Sequence, residues 1–235
     1  MIDDRPISVR FALALVLSCV WLAAPARADF QAGRDAAILS DYATALRELR
    51  PVAEKGDARA QSLLGVLYDN GLGVPQDFVL ARQWWEKAAA QGDADAQAGL
   101  GLLYSKGDGV PQDYVQARQW YEKAAAQGKA IAQVSLGILD AYGYGAPKDY
   151  QQAVRWFRLA ADQGDALAQM KLGGMSERGE GLPQDVVQAY KWYTLAETNG
   201  GEESDVPRRL LAKRMTPAQI AEAQQLAREW KPERK

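Results

Sequence analysis

Apolar residues recur along most of the chain at helical spacing, in paired runs that a short polar loop separates. In residues 92–127 the runs are Ala96, Leu100, Leu103 and Tyr104, then Tyr114, Ala117, Trp120, Tyr121 and Ala124. Steps of three and four residues place each run on one face of an amphipathic helix. The loop between them, residues 105–113, contains two glycines, which can adopt left-handed or extended conformations, and one proline, which cannot continue a helix. The segment therefore predicts a helical hairpin.

The same pattern occurs four times, and each copy begins 36 residues after the previous one without an insertion. We predict the copies over residues 56–91, 92–127, 128–163 and 164–199. A period of this length is typical of stacked helix pairs, in which each pair buries its apolar face against its neighbours. The sequence therefore predicts an all-α solenoid of antiparallel helix pairs.

Certain positions keep the same size of side chain in every copy. The small positions are Ala60, Ala96, Ala132, Ala168, Gly65, Gly101, Gly137 and Gly173. The large positions are Leu64, Leu100, Leu136, Leu172, Trp84, Trp120, Trp156 and Trp192. We expect the large side chains to fill the space beside the small ones, with each buried leucine or tryptophan contributing roughly 2 to 3 kcal/mol.

An aspartate stands before the second helix of each copy, at residues 77, 113, 149 and 185. These acids could be interpreted as metal ligands or as paired catalytic acids. They lie a full repeat apart and at helix starts, which favours N-capping instead. Asp113 with Gln116 resembles a capping box, and copies three and four repeat the pattern.

Shorter helix pairs are predicted on either side of the four copies. Residues 29–55 predict a degenerate leading copy whose second helix contains Pro51. Residues 200–235 predict closing helices, with Thr216 as an N-cap and Pro217 in the first helical position. Both pairs would cover the apolar ends of the stack.

The first 28 residues predict a secretory signal peptide. Arg5 and Arg10 precede an apolar run, residues 11–24, and Ala26 to Ala28 fit a cleavage site. We therefore expect a periplasmic or secreted protein, cleaved after Ala28, with no membrane insertion of the mature chain. An alternative is a lipoprotein site at Cys19, although the residues after Cys19 stay apolar.

Composition removes several kinds of chemistry from consideration. Histidine is absent and Cys19 is the single cysteine, so a chain cleaved after Ala28 has neither residue type. The commonest general base and the usual zinc ligands are therefore missing. The net charge of −2, with interspersed signs, offers no basic surface for nucleic acid. We expect a non-catalytic protein with no metal and no cofactor.

The pattern A-Q-x-x-L-G-x-x-Y-x-x-G-x-G-V-P-Q-D-Y, which the four copies follow with departures at a few positions, resembles the Sel-1-like repeat. This repeat is a relative of the tetratricopeptide repeat with a longer loop between its helices. The resemblance implies a right-handed superhelix and an envelope scaffold or adaptor that binds a peptide segment or partner protein in its concave groove.

Two other functions stay open at this stage. Some secreted bacterial relatives carry a disulfide in each repeat, and a cell-wall or β-lactam hydrolase activity is sometimes ascribed to them. The missing cysteine and histidine argue against that alternative here. A structural or self-associating array is the third interpretation.

The resemblance implies that the first helix of each copy lines the concave face. Partner recognition should then use positions that the repeat leaves free, and in copies three and four these are unusually apolar. The candidate partner-binding residues are Ile131, Val134, Ile138, Tyr142, Leu167, Met170, Lys171 and Arg178. Such a surface suits a peptide or helix that bears an acidic group. Alternatively, part of this stripe packs against the next copy or the closing helices.

Copy three departs most from the other copies. The departures are Lys129, Asp140, Ala146 and Lys148, together with Tyr142 and Tyr144 around Gly143. Exposed loop tyrosines are common at recognition surfaces. Drift in a tolerant loop is the competing interpretation.

Overall fold

The computed structural model describes residues 29–231, so the predicted signal peptide and Cys19 lie outside the described residues. Within this range all regular structure is helical. The α-helices are α1 (Phe30–Ile38), α2 (Tyr42–Glu54), α3 (Ala58–Asn70), α4 (Phe78–Ala90), α5 (Ala94–Lys106), α6 (Tyr114–Ala126), α7 (Ala130–Tyr142), α8 (Tyr150–Ala161), α9 (Ala166–Arg178), α10 (Val186–Thr198), α11 (Asp205–Ala212) and α12 (Pro217–Glu229). None of these helices is both long and apolar enough to cross a bilayer.

Helices α1 to α11 pack chiefly on their neighbours in sequence, which confirms the predicted solenoid of helix pairs. The four copies contribute the pairs α3–α4, α5–α6, α7–α8 and α9–α10, and α12 packs on α10 at the far end. Successive first helices also contact each other, α1 with α3, α3 with α5 and α5 with α7. Since these helices approach more closely than successive second helices, they form the inner side of the array.

A glycine on each first helix receives an aromatic ring from the second helix. A Cβ atom on Gly65 would lie 2.3 Å from Nε1 of Trp85, and one on Gly137 would lie 2.6 Å from the Phe157 ring. The four buried rings, each at most 4% exposed, are Trp85, Tyr121, Phe157 and Tyr193. These contacts favour glycine, because a Cβ atom at the same position would overlap the ring unless the ring or the helix moved.

This aromatic column corrects the predicted packing of the tryptophans. Trp84, Trp120 and Trp156 are half-buried, one position before the rings that fill the glycine column, whereas Trp192 is buried in the core as predicted. The ammonium groups of Lys87 and Lys123 lie 4.2 and 3.8 Å from the Trp84 and Trp120 ring centroids. These indoles therefore lie at the edge of the core, where a cation can cover one face.

A buried glutamine on each first helix bonds a side chain at the end of the second helix of the same copy, and Gln61 and Gln169 also bond the preceding helix pair. Gln61 lies at the start of α3, accepts a hydrogen bond of 2.9 Å from Gln91, and donates one of 2.9 Å to the Ala53 carbonyl of α2. Equivalent side-chain pairs, of 2.8 to 2.9 Å, are Gln127 to Gln97, Gln163 to Gln133 and Asn199 to Gln169. Because the amide of Gln61 bonds three helices, it fixes the offset between neighbouring pairs.

Aspartates cap most of the helices in the repeats. The Asp113 carboxylate accepts hydrogen bonds from the backbone N–H groups of Val115 and Gln116. The predicted capping box is only half formed there, because the Asp113 N–H donates to the Tyr104 carbonyl instead. A complete capping box is present at Thr216 with Gln219.

Helix α7 is the exception among the first helices of the four copies. Asp57, Asp93 and Asp165 cap α3, α5 and α9, whereas Lys129 precedes α7 and makes no side-chain cap. The ammonium of Lys129 lies 2.6 Å from the Asp95 carboxylate instead. Copy three therefore exchanges a helix cap for an exposed ion pair.

We expect Lys129→Asn to stabilise the protein by about 0.5 to 1 kcal/mol. A new N-cap contributes roughly 1 kcal/mol, and the exposed ion pair that is lost contributes only a fraction of that. Urea unfolding followed by circular dichroism measures the change. Asp93→Ala is the matched control and should cost about 1 kcal/mol. Loss of stability in Lys129→Asn would show that the Asp95 ion pair outweighs the cap.

Candidate functional site

An open cleft of about 160 Å³ lies on the inner side of the array, between α7 of copy three and α9 of copy four. Four of the eight predicted partner-binding residues line it: Ile138, Tyr142, Lys171 and Arg178. The other lining residues are Ala141, Lys148, Tyr150, Phe157, Met175 and Glu180. Of these, Lys148 could be recognised in the sequence as a departure of copy three, whereas Phe157 and Met175 resemble ordinary repeat core.

The side chains that border the cleft differ from those at the preceding junctions. Lys171 occupies the position that is Gly99 in copy two and Ser135 in copy three. At the copy-one junction a Cβ on Gly99 would lie 2.6 Å from the Trp85 ring, so that ring fills the space. At the junction of copies three and four the equivalent positions are Phe157, which has a smaller ring, and Lys171, and both residues line the cleft.

The remaining predicted residues lie elsewhere. Ile131 and Leu167 are 63% and 42% exposed near the starts of α7 and α9. Met170 is half-buried against the cluster formed with the closing helices. Val134 is 4% exposed and belongs to the apolar cluster that contains Phe157. Val134, although one of the predicted partner-binding residues, therefore offers a partner little accessible surface.

The floor of the cleft is apolar. Phe157 and Met175 are 1% and 3% exposed, and Ile138 packs partly buried against the same cluster. Phe157 lacks the hydroxyl group that Tyr121 carries at the equivalent position, where it lies 3.4 Å from the Ser105 hydroxyl. The floor of this junction therefore offers no hydroxyl group from the aromatic column.

The rim of the cleft is positively charged. Arg178 donates a hydrogen bond of 2.7 Å to Glu180, and this bond raises the pKa of the Arg178 guanidinium. The Lys148 ammonium lies 5.3 Å from the Tyr150 ring centroid. Among the described residues, neither Lys148 nor Lys171 has a carboxylate within ion-pairing distance. The lining thus carries three cations and one carboxylate.

Glu177, the acid next to Arg178 in sequence, is already bonded within the fold. Its carboxylate accepts a hydrogen bond of 3.0 Å from the Tyr193 hydroxyl and also binds Arg214 of the closing segment. Burial and the Glu177 hydrogen bond raise the pKa of Tyr193, so this phenol stays protonated. The hydrogen bond and the ion pair of Glu177 are therefore made with Tyr193 and Arg214, and Glu177 is not one of the residues that line the cleft.

Three tyrosines stack beside the cleft. The Tyr142 and Tyr144 ring centroids are 5.7 Å apart with planes at 16°, and the Tyr144 and Tyr114 centroids are 4.6 Å apart with planes at 9°. Tyr142 remains 59% exposed, at the end of α7. Because Tyr144 supports its ring, Tyr142 presents an ordered aromatic wall.

A buried ion pair anchors the segment that carries these tyrosines. Asp140 is 3% exposed, and one of its carboxylate oxygens lies 2.7 Å from Nη2 of Arg118 on α6. The same guanidinium nitrogen lies 3.5 Å from the Tyr144 carbonyl. Asp140 replaces the Tyr68 and Tyr104 of copies one and two. Most departures of copy three therefore lie at or beside the cleft.

Among the described residues there is no group of three or more acidic, histidine or cysteine side chains that could hold a metal ion. The cleft has a single carboxylate, and that carboxylate is paired with Arg178. Its chemistry is that of a binding surface with an apolar floor, an aromatic wall and a cationic rim.

A model of the Sel1 repeat matches residues 58–93, 94–129, 130–165 and 166–201. The structure is similar to that of a Sel1 repeat protein from Oxalobacter formigenes, which is 35% identical. That match has a TM-score of 0.69 and covers 82% of this chain and 78% of the other.

Two further solved structures are similar. A protective antigen of uropathogenic Escherichia coli is 31% identical, with a TM-score of 0.54 over 80% of this chain and 48% of the antigen. The chain thus spans about half of the antigen's length. An immunity protein from Pseudomonas aeruginosa is 22% identical, with a TM-score of 0.56 over 86% of this chain and 82% of that one, and shows the fold alone. No curated protein matches the chain at a significant level.

Proposed function

The chain belongs to the Sel1 repeat family, and we propose on that basis that it binds a partner protein through the inner face of copies three and four. Sel1 repeat proteins generally mediate protein–protein interaction. In the proposed role the chain is a non-catalytic scaffold of the bacterial cell envelope, and its partner contributes a peptide segment or a helix. The envelope location rests on the predicted signal peptide and on similarity to bacterial Sel1 repeat proteins.

The observation that carries the proposal is the combination of exposed apolar residues and a cleft on one face. Ile131 and Leu167 expose large apolar side chains at the starts of α7 and α9. The cleft lies toward the ends of the same two helices, and Ile131 and Tyr142 are separated by roughly 16 Å of helix. A surface of this length suits an extended peptide or a few turns of a helix.

The hydrolase alternative gains no support from the cleft. Acid–base hydrolysis with two carboxylates needs two acids that converge on the substrate. Glu180 is the single carboxylate of the lining, and it is paired with Arg178. We therefore propose binding rather than catalysis, and a muropeptide or β-lactam turnover assay with residues 29–235 provides the direct check.

Partner capture from an envelope extract tests the proposal. We expect Ile131→Asp with Leu167→Asp to reduce the recovery of specific partners by about ten-fold or more, because two charges would enter an apolar interface. The matched control is Val79→Asp with Val115→Asp, since these valines are 45% and 51% exposed on the second helices α4 and α6. This control should retain the partners. Quantitative mass spectrometry of the captured proteins gives the readout.

Circular dichroism and urea unfolding establish that both double variants remain folded. If the inner-face variant and the wild type capture the same partners in the same amounts, the proposed surface is wrong. Equal loss in both variants would place recognition outside the inner face and would also contradict it.

A further inference from the structure

We propose that the cleft between copies three and four binds an acidic side chain, aspartate or glutamate, next to an aromatic residue in the partner's peptide segment. This inference rests on the proposed function and specifies its chemistry. The carboxylate would lie against Lys148 and Lys171, and the adjacent ring would lie against Tyr142 above the apolar floor.

Among the three junctions between complete copies, the junction of copies three and four is the one that carries both Lys148 and Lys171. At the Lys148 position the other copies have glutamine, and the side chains of Gln76, Gln112 and Gln184 each donate a hydrogen bond of 2.7 to 2.8 Å to a carbonyl at the end of the preceding helix. Lys148 makes no such bond among the described residues and lines the cleft instead. The substitution exchanges a structural hydrogen bond for a cation at a surface opening.

The two lysines give the opening of the cleft a positive charge. Glu180 compensates Arg178 at 2.7 Å, which leaves the two lysine charges without a carboxylate partner in the described structure. Lys171 is half-buried, so its charge is less screened by water than that of a fully exposed lysine. An anion that enters the cleft gains from both charges, and a cation or a neutral amide does not.

Apolar and aromatic surface lies next to the positive charge of the cleft. The floor formed by Phe157, Met175 and Ile138 is apolar, and Tyr142 adds an exposed ring at the wall. A small inorganic anion would leave this apolar surface uncovered. A peptide segment with an acid beside an aromatic side chain would place a charge on the lysines and a ring against Tyr142.

Contacts within the fold hold the aromatic wall at Tyr142 in place without a ligand. Tyr142 stacks on Tyr144, Tyr144 stacks on Tyr114, and Arg118 lies between the Asp140 carboxylate and the Tyr144 carbonyl. A wall that is already ordered costs a ligand less conformational entropy than a mobile loop would. Asp140, Tyr142 and Tyr144, which make these contacts, are departures of copy three from the other copies. Their joint arrangement favours a role in recognition over random drift of a tolerant loop.

The test uses two capped pentapeptides, acetyl-Gly-Asp-Phe-Asp-Gly-amide and acetyl-Gly-Asn-Phe-Asn-Gly-amide. They differ only in charge, and each is titrated into 15N-labelled protein at low ionic strength while amide chemical shifts are followed. We expect the aspartyl peptide to bind about ten-fold more tightly than the asparaginyl peptide, and we expect its affinity to fall as the salt concentration is raised. We also expect the largest shifts at residues of α7 and α9 that line the cleft.

The cleft variant is Lys148→Gln with Lys171→Ser, which installs residues that other copies carry at these positions and should therefore fold normally. We expect it to bind the aspartyl peptide about ten-fold more weakly than the wild type. The control, Lys106→Gln with Lys213→Gln, removes the same charge from exposed positions outside the cleft and should keep wild-type affinity. Equal affinities for the two peptides, no detectable binding, or unchanged affinity in the cleft variant would overturn the inference.

Partner capture separates this inference from the proposed function. Loss of partners in the Ile131 and Leu167 variant with retention in the cleft variant would overturn the cleft inference and leave the inner-face proposal standing. Loss in both variants supports both, and retention in both overturns both.

Discussion

Gly173→Ala lowers the free energy of unfolding by about 2 kcal/mol, whereas Gly174→Ala, at the next residue of α9, leaves it unchanged or slightly higher. A Cβ atom at residue 173 would lie 2.6 Å from the Tyr193 ring, which is 4% exposed. That ring cannot move away easily, because its hydroxyl donates to Glu177. The overlap therefore costs more than the gain of about 1 kcal/mol that alanine brings to a helix.

At residue 174 the added Cβ would meet only the Arg178 guanidinium, at 3.1 Å. The end of an arginine side chain can shift at little cost, so the helix propensity of alanine is retained. Thermal unfolding followed by circular dichroism compares the two variants, and a loss of 2 kcal/mol corresponds to a decrease of about 4 to 8 °C in Tm for a chain of this size. Equal Tm values for the two variants would show that the glycine column is not a packing requirement.

The helical array could be predicted from the sequence because the four copies follow one another without insertions. The same small and large positions therefore recur at a fixed spacing, and each recurrence supports the same helix pair. The column of Gly65, Gly101, Gly137 and Gly173 was also visible, but its partner was misassigned to Trp84 and its equivalents. The buried column holds Trp85, Tyr121, Phe157 and Tyr193, and it varies because the site requires an aromatic ring of no single type. The position that is tryptophan in every copy thus lies at the edge of the core in copies one to three. The next position, which is always aromatic but not always the same residue, lies at the centre of the core.

The candidate site could be predicted only in part. Ile138, Tyr142, Lys171 and Arg178 were selected because the repeat does not fix these positions, and the structure brings them to one cleft. Phe157 and Met175 could not be added, because both occupy positions that are apolar core in the repeat pattern. Their contact with the cleft depends on the side chains around this one junction, which leave no periodic signal.

Val134 shows a second limit of the sequence pattern. Residues 134 and 138 are one helical turn apart, and both are apolar, yet Val134 is 4% exposed while Ile138 reaches the cleft. The two residues share one face of α7, so hydrophobic spacing does not distinguish a side chain that the fold buries from one that reaches the cleft. The contacts of neighbouring helices decide which of the two is accessible.

Arg118→Met destabilises the protein by about 3 kcal/mol, because it leaves the buried Asp140 carboxylate without its cation. The Asp140 and Arg118 side chains are 5% and 17% exposed, so water replaces the lost partner poorly. The matched control is Arg82→Met at the equivalent position of copy one. Arg82 lies 3.5 Å from Glu86, whose side chain is 47% exposed, so this variant should lose less than about 1 kcal/mol.

The double variant Arg118→Met with Asp140→Leu should recover most of the lost stability, because it removes the second charge as well as the first. Urea unfolding at neutral pH of the wild type, the two single variants and the double variant forms a double-mutant cycle that isolates the interaction. Additive losses, with the double variant less stable than either single variant, would contradict a coupled buried pair. The recovered variant also lacks the guanidinium beside the Tyr144 carbonyl, so weaker binding of the aspartyl peptide at normal stability would indicate that Arg118 positions the tyrosine wall.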